Sequence, residues 1–457
     1  MRPPPSRPQP PSWPDTVSSR LVKIATVLAS RGLTRVSQVV AFLLLARVLS
    51  PEGFGAYAVV TSAIFLAGQI GTLGLRQAAA YRIGQKIMSD GEAVGVLAAF
   101  WPVAAVLCAA GVYAFNQDSF EALGLGLTTA ALIACAAVLL LNLMQGVFLG
   151  RGEIKAFAFS DSGPRVLQSV FAALLWLFGA LTLDTALWSF AAGFILLAPM
   201  VIWMAARPAN KLDLAIVQVP AMVRHGFLFA VSAFLVMLQG RIGVFFLSGA
   251  DGEVAAGQFF AAQRASEIFL ELATAAGLVL FSETARGGAT QEKLESAVRT
   301  ATGLFVMFLG VGAVAAATAP WLVVTLLGPQ YAGATDALRI LAIGLAPAAA
   351  VRILNSVIAG MGRPYISAGI VLVGIVVNAI ACALLAPKFG ASGAAMGMAI
   401  GQFTAALGYL IVLRLTFKVP LSTLAAIPAP RQLIGRVRAR LKDLYLKAKR
   451  PPGKLGK

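Results

Sequence analysis

Residues 49–57 have the sequence LSPEGFGAY and join one long apolar run to the next, and residues 247–259, LSGADGEVAAGQF, do the same later in the chain. Each stretch is a short turn followed by a glycine and an aromatic residue, and the offset from Gly55 to Gly257 is 202 residues. A second pair of glycine-rich stretches, at 145–152 and 355–362, has an offset of 210. The repeat predicts that the chain is built from two similar halves.

The composition excludes a water-soluble domain. The 457 residues are 59% hydrophobic and 12% charged, with a mean hydropathy of +0.83. Because a spanning helix needs about 20 mostly apolar residues, the length accommodates roughly twelve spans with short connections. The apolar runs predict spans at 21–49, 54–80, 92–116, 123–149, 157–181, 185–206, 221–249, 254–282, 298–318, 335–359, 365–386 and 391–415.

The predicted fold is therefore an all-α, polytopic membrane protein with two six-helix lobes. Six spans per half is an even number, so the halves have the same topology and are related by a pseudo-two-fold axis along the membrane normal. A central cationic cavity is expected where they meet. The predicted divisions are a disordered tail (1–19), an N-lobe (20–206), a C-lobe (207–416) and a basic tail (417–457).

The basic residues predict the orientation. Placing the N-terminus in the cytoplasm puts nearly all basic loop residues inside, with Lys388 nearly the only exception, so both termini are expected to be cytoplasmic. The +18 net charge is then largely topological, and no nucleic-acid partner is expected. Residues 431–450 space apolar side chains at helical intervals among basic ones, which is typical of an interfacial helix on membrane lipids.

Several arginines fall inside the predicted spans. A guanidinium at the centre of a lipid-facing helix costs at least about 2.5 to 3.5 kcal/mol, so these arginines predict a protein-lined interior that accepts an anion. Arg31 and Arg339 lie close enough to an interface to extend towards it. The predicted substrate-binding arginines are Arg35, Arg76, Arg241, Arg264 and Arg352.

Three carboxylates at membrane depth are the candidate ion-coupling residues. Glu267 and Glu271 share a helical face with Arg264, and Asp161 lies four residues before Arg165. Carboxylates that face a cavity are candidate proton or sodium sites, so coupling to H⁺ or Na⁺ is considered. Charge-balancing ion pairs with the neighbouring arginines are the alternative interpretation for all three.

No catalytic or metal-binding motif is recognisable. The chain contains no nucleophile elbow, Walker loop, HExxH motif or acidic metal triad, and the glycines at 150, 152, 360 and 362 are interpreted as helix-ending turns. Cys108, Cys135 and Cys382 lie in apolar runs without paired spacing. We therefore expect neither an enzyme nor a resident cofactor or metal.

In order and spacing, five short motifs resemble a known family over roughly residues 20–416. The motifs are residues 45–57 with 73–75, 146–150, 326–331, 358–363 and 386–395. With these motifs the chain resembles the polysaccharide-exporter (Wzx-like) branch of the multidrug/oligosaccharidyl-lipid/polysaccharide (MOP) superfamily, which are bacterial flippases for undecaprenyl-diphosphate-linked oligosaccharides.

The resemblance implies alternating access by rocking of two lobes, and a cargo that carries a diphosphate. The expected protein moves that lipid-linked oligosaccharide to the periplasmic leaflet of the bacterial inner membrane for exopolysaccharide, capsule or O-antigen assembly. Polymerases and glycosyltransferases of the same pathway are the expected partners. Relatives often carry an acidic residue shortly after the arginine of the seventh span. Here Arg241 is followed by Ile242, Gly243 and Val244, and because glycine has no side chain to bind a cation, a sodium site at that position is not expected.

Two groups of alternatives remain open from the residues. An ion-coupled exporter of drugs or of lipid II would have the same fold, although a pump for cations should favour acidic residues in its cavity. A membrane-embedded polysaccharide polymerase or ligase belongs to a different class, and needs a sizeable periplasmic loop with catalytic residues. The longest outer connection, about residues 319–334, is short and mostly apolar.

Overall fold

The computed structural model describes residues 17–207, 213–214, 216–250, 252–286, 291–361 and 363–420. Across these ranges the regular structure is entirely helical, with no strand. The predicted interfacial helix and most of the two predicted tails lie outside the described residues. Within the first predicted tail, helix begins at Val17.

The first half of the chain forms seven helices that make six passages. A break at residues 71–74 divides the second passage into two helices, because Gly74 adopts a left-handed conformation (φ 79°). The helices are α1 (Val17–Val48), α2 (Pro51–Ile70), α3 (Leu75–Gly84), α4 (Asp90–Phe115), α5 (Gln117–Arg151), α6 (Ile154–Leu177) and α7 (Leu183–Ala206).

The second half also makes six passages from seven helices. Its first and fourth passages are broken, at residues 240–241 and 344, and its last helix changes direction at Gly390, whose dihedrals are not helical (φ 53°, ψ −133°). The helices are α8 (Val219–Gln239), α9 (Ile242–Ala250), α10 (Gly252–Arg286), α11 (Gln291–Leu326), α12 (Ala334–Ile343), α13 (Leu345–Gly360) and α14 (Pro364–Leu415).

Local sequence explains where these helices begin. The Ser50 side chain accepts a hydrogen bond from the Gly53 amide and Pro51 occupies the first turn of α2, a position where proline removes no helical hydrogen bond. At the start of α4, Ser89 and Glu92 form a capping box. The turn motif of residues 49–57 is thus a helix start between two passages.

Six described helices are long and apolar enough to span a membrane by length and composition, or seven spans if α12 and α13, which meet at 50°, count as one. The bent α14 is one of these six although it makes two passages. Counting each half of α14 separately, the described helices make twelve passages, at nearly the positions predicted from sequence.

The two halves meet where the sequence repeat begins. A Cβ atom built on Gly55 would overlap the Glu253 carbonyl, and one built on Gly257 would overlap the Pro51 carbonyl. Gly55 and Gly257, like Pro51 and Glu253, are 202 residues apart, so the contact is symmetric under the repeat. The pseudo-two-fold axis passes between α2 and α10 at this point, which supports the predicted two-lobe arrangement. The division near residue 206 itself stays a prediction.

Candidate functional site

Four of the five predicted binding arginines converge on one carboxylate between the halves. Glu267 of α10 lies within electrostatic reach of Arg264, Arg241, Arg352 and Arg35. Together with Glu271, one turn further along α10, these residues form what we call the central cluster. Its four guanidiniums and two carboxylates carry a net charge of +2.

A break between helices positions Arg241. The guanidinium donates to the Ser62 hydroxyl of α2 at 2.8 Å and lies 5.7 Å from the Phe260 ring centroid. The carbonyls freed at the break are satisfied by side chains, since Gln263 donates to the Gly240 oxygen (2.6 Å) and Asn378 to the Gln239 oxygen (3.3 Å). Broken helices at membrane depth need such partners, and transporters commonly place binding residues there.

Helical spacing aligns the charged residues of α10. Arg264 and Glu267, three residues apart, form an ion pair of 2.8 Å, and Gln263 donates to the other Glu267 oxygen at 3.3 Å. The charge-balancing pair that sequence spacing allowed is therefore present. Arg264 also lies over the Phe260 ring at 4.8 Å, so its guanidinium has a carboxylate and an aromatic face as partners.

An ion pair joins the two halves at the central cluster. Arg35 of α1 lies 3.1 Å from Glu271 of α10, with side chains 51% and 35% exposed. Arg35 also donates to Gln38 on its own helix at 3.2 Å. The helical spacing on α10 placed Glu271 on the same face as Arg264. Its ion-pair partner Arg35 lies 236 positions away in sequence, so no local pattern could predict the contact.

A polar cavity of about 410 Å³ extends from the cluster into the second half of the chain. Arg352 of α13 donates to the Thr274 hydroxyl of α10 at 2.8 Å beside it. Five amide and hydroxyl side chains of the lining were not predicted from the sequence. The one feature that could have indicated them is their position as polar residues inside predicted membrane spans. They are Gln239, Thr274, Asn355, Ser356 and Gln402.

Arg76, the fifth predicted binding arginine, lies apart from the central cluster. It belongs to α3, where its carbonyl is so close to α5 that a Cβ on Gly146 would overlap it. Its guanidinium lies 5.8 Å from the Phe157 ring centroid and within electrostatic reach of Asp161 and Arg165. The five arginines are thus divided between two places.

The second place is a smaller charged group on α6. Arg165 donates to the Asp161 carboxylate at 2.8 Å, as the four-residue spacing allowed. The group adjoins a cavity of about 100 Å³ between the halves, where Gln168 donates to the Tyr57 hydroxyl at 2.6 Å. Asp161, a candidate coupling residue, is therefore in an ion pair here.

The two glycines near the end of α5 have different roles, whereas Gly362, of the pair predicted to end α13, lies outside the described residues. Gly152 terminates α5 in a left-handed conformation (φ 72°), as interpreted from sequence. Gly150 instead allows α3 to approach, since a Cβ there would lie 2.7 Å from the Ile83 Cβ. In the described ranges, no group of three or more His, Cys, Asp or Glu side chains could hold a metal ion.

Comparison with known proteins identifies the fold. No protein-family model matches the sequence. No curated protein sequence matches it significantly. Among solved structures, the lipid II flippase MurJ in an inward closed conformation has 13% identity and a TM-score of 0.71, covering 93% of each chain.

Two further structures agree in fold. An inward-facing multidrug resistance MATE family transporter of the MOP superfamily has 17% identity and a TM-score of 0.64, covering 86% of this chain and 96% of its own. A MOP superfamily transporter from Pyrococcus furiosus, described as having a binding pocket of reverse polarity, has 17% identity and a TM-score of 0.59, covering 90% and 97%.

All three structures are transporters or flippases rather than enzymes. Apolar helices and membrane-transporter neighbours together indicate a multi-pass membrane protein. The chain shares its fold with these three structures, two of which are described as MOP superfamily transporters.

Proposed function

We propose that this protein flips a polyprenyl-diphosphate-linked oligosaccharide across the bacterial inner membrane, from the cytoplasmic to the periplasmic leaflet, for assembly of a surface polysaccharide. The observation that carries the proposal is the central cluster. Four arginines from helices of both halves gather around two carboxylates, in a fold that the chain shares with solved transporters and a flippase.

Charge matching supports a diphosphate as the ligand. A diphosphate diester carries two negative charges, and the central cluster carries a net charge of +2. Arginine suits this role because its planar fork meets phosphate oxygens bidentately and stays protonated. Arg35, Arg241, Arg264 and Arg352 are assigned to the diphosphate in this proposal, and Arg76 to the approach of the anionic headgroup.

The two carboxylates of the cluster are the proposed coupling residues. Glu267 pairs with Arg264 and Glu271 pairs with Arg35, so a ligand that takes those arginines releases the carboxylates. A released carboxylate can take up H⁺ or Na⁺. Asp161 is a third candidate for the same role, through its pair with Arg165. No cofactor is proposed.

The proposed setting follows from the same function. In this setting we expect both termini in the cytoplasm, with the glycosyltransferases of the pathway acting before the flippase and the polymerase after it. A polymerase or ligase function is less favoured, because α11 and α12 are connected by residues 327–333 only, with no large loop there for catalysis.

Arginine substitutions test the proposal. In proteoliposomes with a polyprenyl-diphosphate-linked oligosaccharide, Arg241→Ala should reduce flipping at least tenfold and Arg241→Lys should retain more, because charge is preserved. Arg339→Ala is the matched control, since Arg339 is half-exposed and pairs with Asp336 outside the cluster. Unchanged flipping by Arg241→Ala and Arg35→Ala at normal protein levels would contradict the assignment.

A lipid II exporter is the second candidate, favoured by the structural match to a lipid II flippase. The same proteoliposomes separate the two when lipid II replaces the oligosaccharide-linked lipid as the probe. A drug exporter like the MATE family neighbour should instead carry a cation, which the net positive charge of the cluster disfavours.

A further inference from the structure

The polar cavity in the second half has a lining unlike that of a simple anion site. Arg241, Arg352 and Glu267 line it together with neutral amides and hydroxyls. Its volume of about 410 Å³ falls in the range of small-molecule sites, roughly 300 to 1,000 Å³. Amide nitrogens and hydroxyls can donate to a phosphate, but the amide oxygens of this lining are acceptors and need a partner of a different kind.

Two amides of the lining have hydrogen-bonding capacity to spare. Within the described part of the chain, the Gln239 side-chain nitrogen and the Gln402 side-chain oxygen are buried without a partner. One is a donor and the other an acceptor. Buried polar groups normally have partners, and a group left without one costs stability. A ligand that both donates and accepts would satisfy the pair.

Hydroxyl and amide groups have that dual character, and a sugar residue presents several of them. The two arginines of the lining also belong to the central cluster, where the diphosphate is proposed to bind. A sugar linked to that diphosphate would therefore be held within reach of the cavity.

We propose that this cavity binds the saccharide residue attached directly to the diphosphate, with Gln239 and Gln402 meeting its hydroxyl or acetamido groups. This proposal rests on the proposed function and names the part of the cargo that the second half recognises. Arg241 and Arg352 hold the phosphate side of the cavity, while Thr274 and Asn355 add further hydrogen-bonding groups.

Binding of two lipids to the full chain in nanodiscs tests the subsite. The probes are the methyl ester of undecaprenyl diphosphate and undecaprenyl-diphosphate N-acetylglucosamine, which are both diphosphate diesters with two negative charges, and the readout is the ratio of their two dissociation constants. The wild-type protein should bind the sugar-bearing lipid about tenfold tighter or more. Gln402→Leu and Gln239→Leu should each lower that ratio about three- to tenfold, as expected for loss of one hydrogen bond.

A matched control is available in the first half. Gln145 of α5 is also a buried glutamine whose side-chain oxygen has no partner among the described residues, but it does not line the cavity. Gln145→Leu should therefore leave the ratio at the wild-type value. An equal fall in Gln145→Leu would overturn the assignment of the two cavity amides.

The wild-type measurement separates this inference from the proposed function and needs no variant to fold. If the methyl ester binds as tightly as the sugar-bearing lipid, the saccharide subsite is wrong while the diphosphate site stands. If neither lipid binds, the proposed function fails and the subsite with it.

Discussion

Two pairs of glycines bring the halves into backbone contact near the two ends of α2, and the two contacts differ in symmetry. Gly55 and Gly257 are equivalent under the 202-residue repeat, and each leaves room for the other's helix. Gly74 and Gly226 also touch backbone to backbone, but they are not repeat equivalents, and Gly74 lies in a left-handed break. We call these the Gly55 contact and the Gly74 contact.

The flanking interactions of the two contacts differ as well. Beside the Gly55 contact, Arg47 donates to the Thr325 and Leu326 carbonyls, and the buried Tyr331 donates to the Leu49 carbonyl at 3.2 Å. Beside the Gly74 contact, Arg82 donates to Gln218 at 2.8 Å. With fewer such interactions among the described residues and an asymmetric geometry, the Gly74 contact is expected to separate more easily.

Gly257→Ala should have the largest effect. The added Cβ would overlap the Pro51 carbonyl, and only separation of α2 from α10 relieves a clash between backbones. We expect a cost of about 3 kcal/mol, which shifts the closed-to-open ratio at this end roughly a hundredfold. Spin labels at positions 52 and 254, in a background without the three native cysteines, should report a longer distance.

The control for this substitution is Gly310→Ala in α11, where an added Cβ meets nothing within 4 Å. It should leave the distance between the labels unchanged. A Gly257→Ala protein with the wild-type distance distribution would show that the Gly55 contact is not a tight closure.

Gly226→Ala should have the next largest effect, at the other end. Its Cβ would overlap the Gly74 carbonyl, but that carbonyl belongs to a helix break that can shift, so about 1 to 2 kcal/mol is expected. Labels at positions 81 and 217 should separate while the 52–254 distance stays the same. Opening at both ends together would mean that the two contacts are not independent.

Arg47→Ala should have a smaller effect at the Gly55 contact. It removes hydrogen bonds from a charged donor to two carbonyls, but Arg47 is solvent-exposed, so a cost of about 1 kcal/mol is expected. The 52–254 distance distribution should gain a minor open population about fivefold larger than in the wild type. A population as large as that of Gly257→Ala would make Arg47, rather than the glycines, the main determinant of closure.

The positions of the passages and of one glycine contact could be predicted from the sequence. Hydropathy located the twelve passages because burial in lipid requires continuous apolar segments. The repeat located Gly55 and Gly257, but the breaks at Gly74 and Gly240 interrupt apolar runs without changing their composition, so no hydropathy pattern marks them.

The candidate site was predictable to a similar degree. Because a charge is costly to bury, the arginines and carboxylates inside apolar runs could be predicted as site residues. Helical spacing also predicted the Arg264–Glu267 and Arg165–Asp161 pairs. The Arg35–Glu271 and Arg241–Ser62 contacts depend on which helices pack together, and so does the separation of Arg76 from the other four arginines.

Glu271→Gln should have the smallest effect on the two label distances. The Arg35–Glu271 pair joins the halves, but both side chains are at least one-third exposed, and such pairs contribute about 0.2 to 1 kcal/mol. The two label distances should therefore stay near wild-type values. Flipping should respond differently, because the change leaves Arg35 without its carboxylate and raises the net charge of the cluster to +3. We expect tighter binding of undecaprenyl diphosphate and slower release. Opening at either end would instead assign the pair to closure of the halves rather than to the charge of the site.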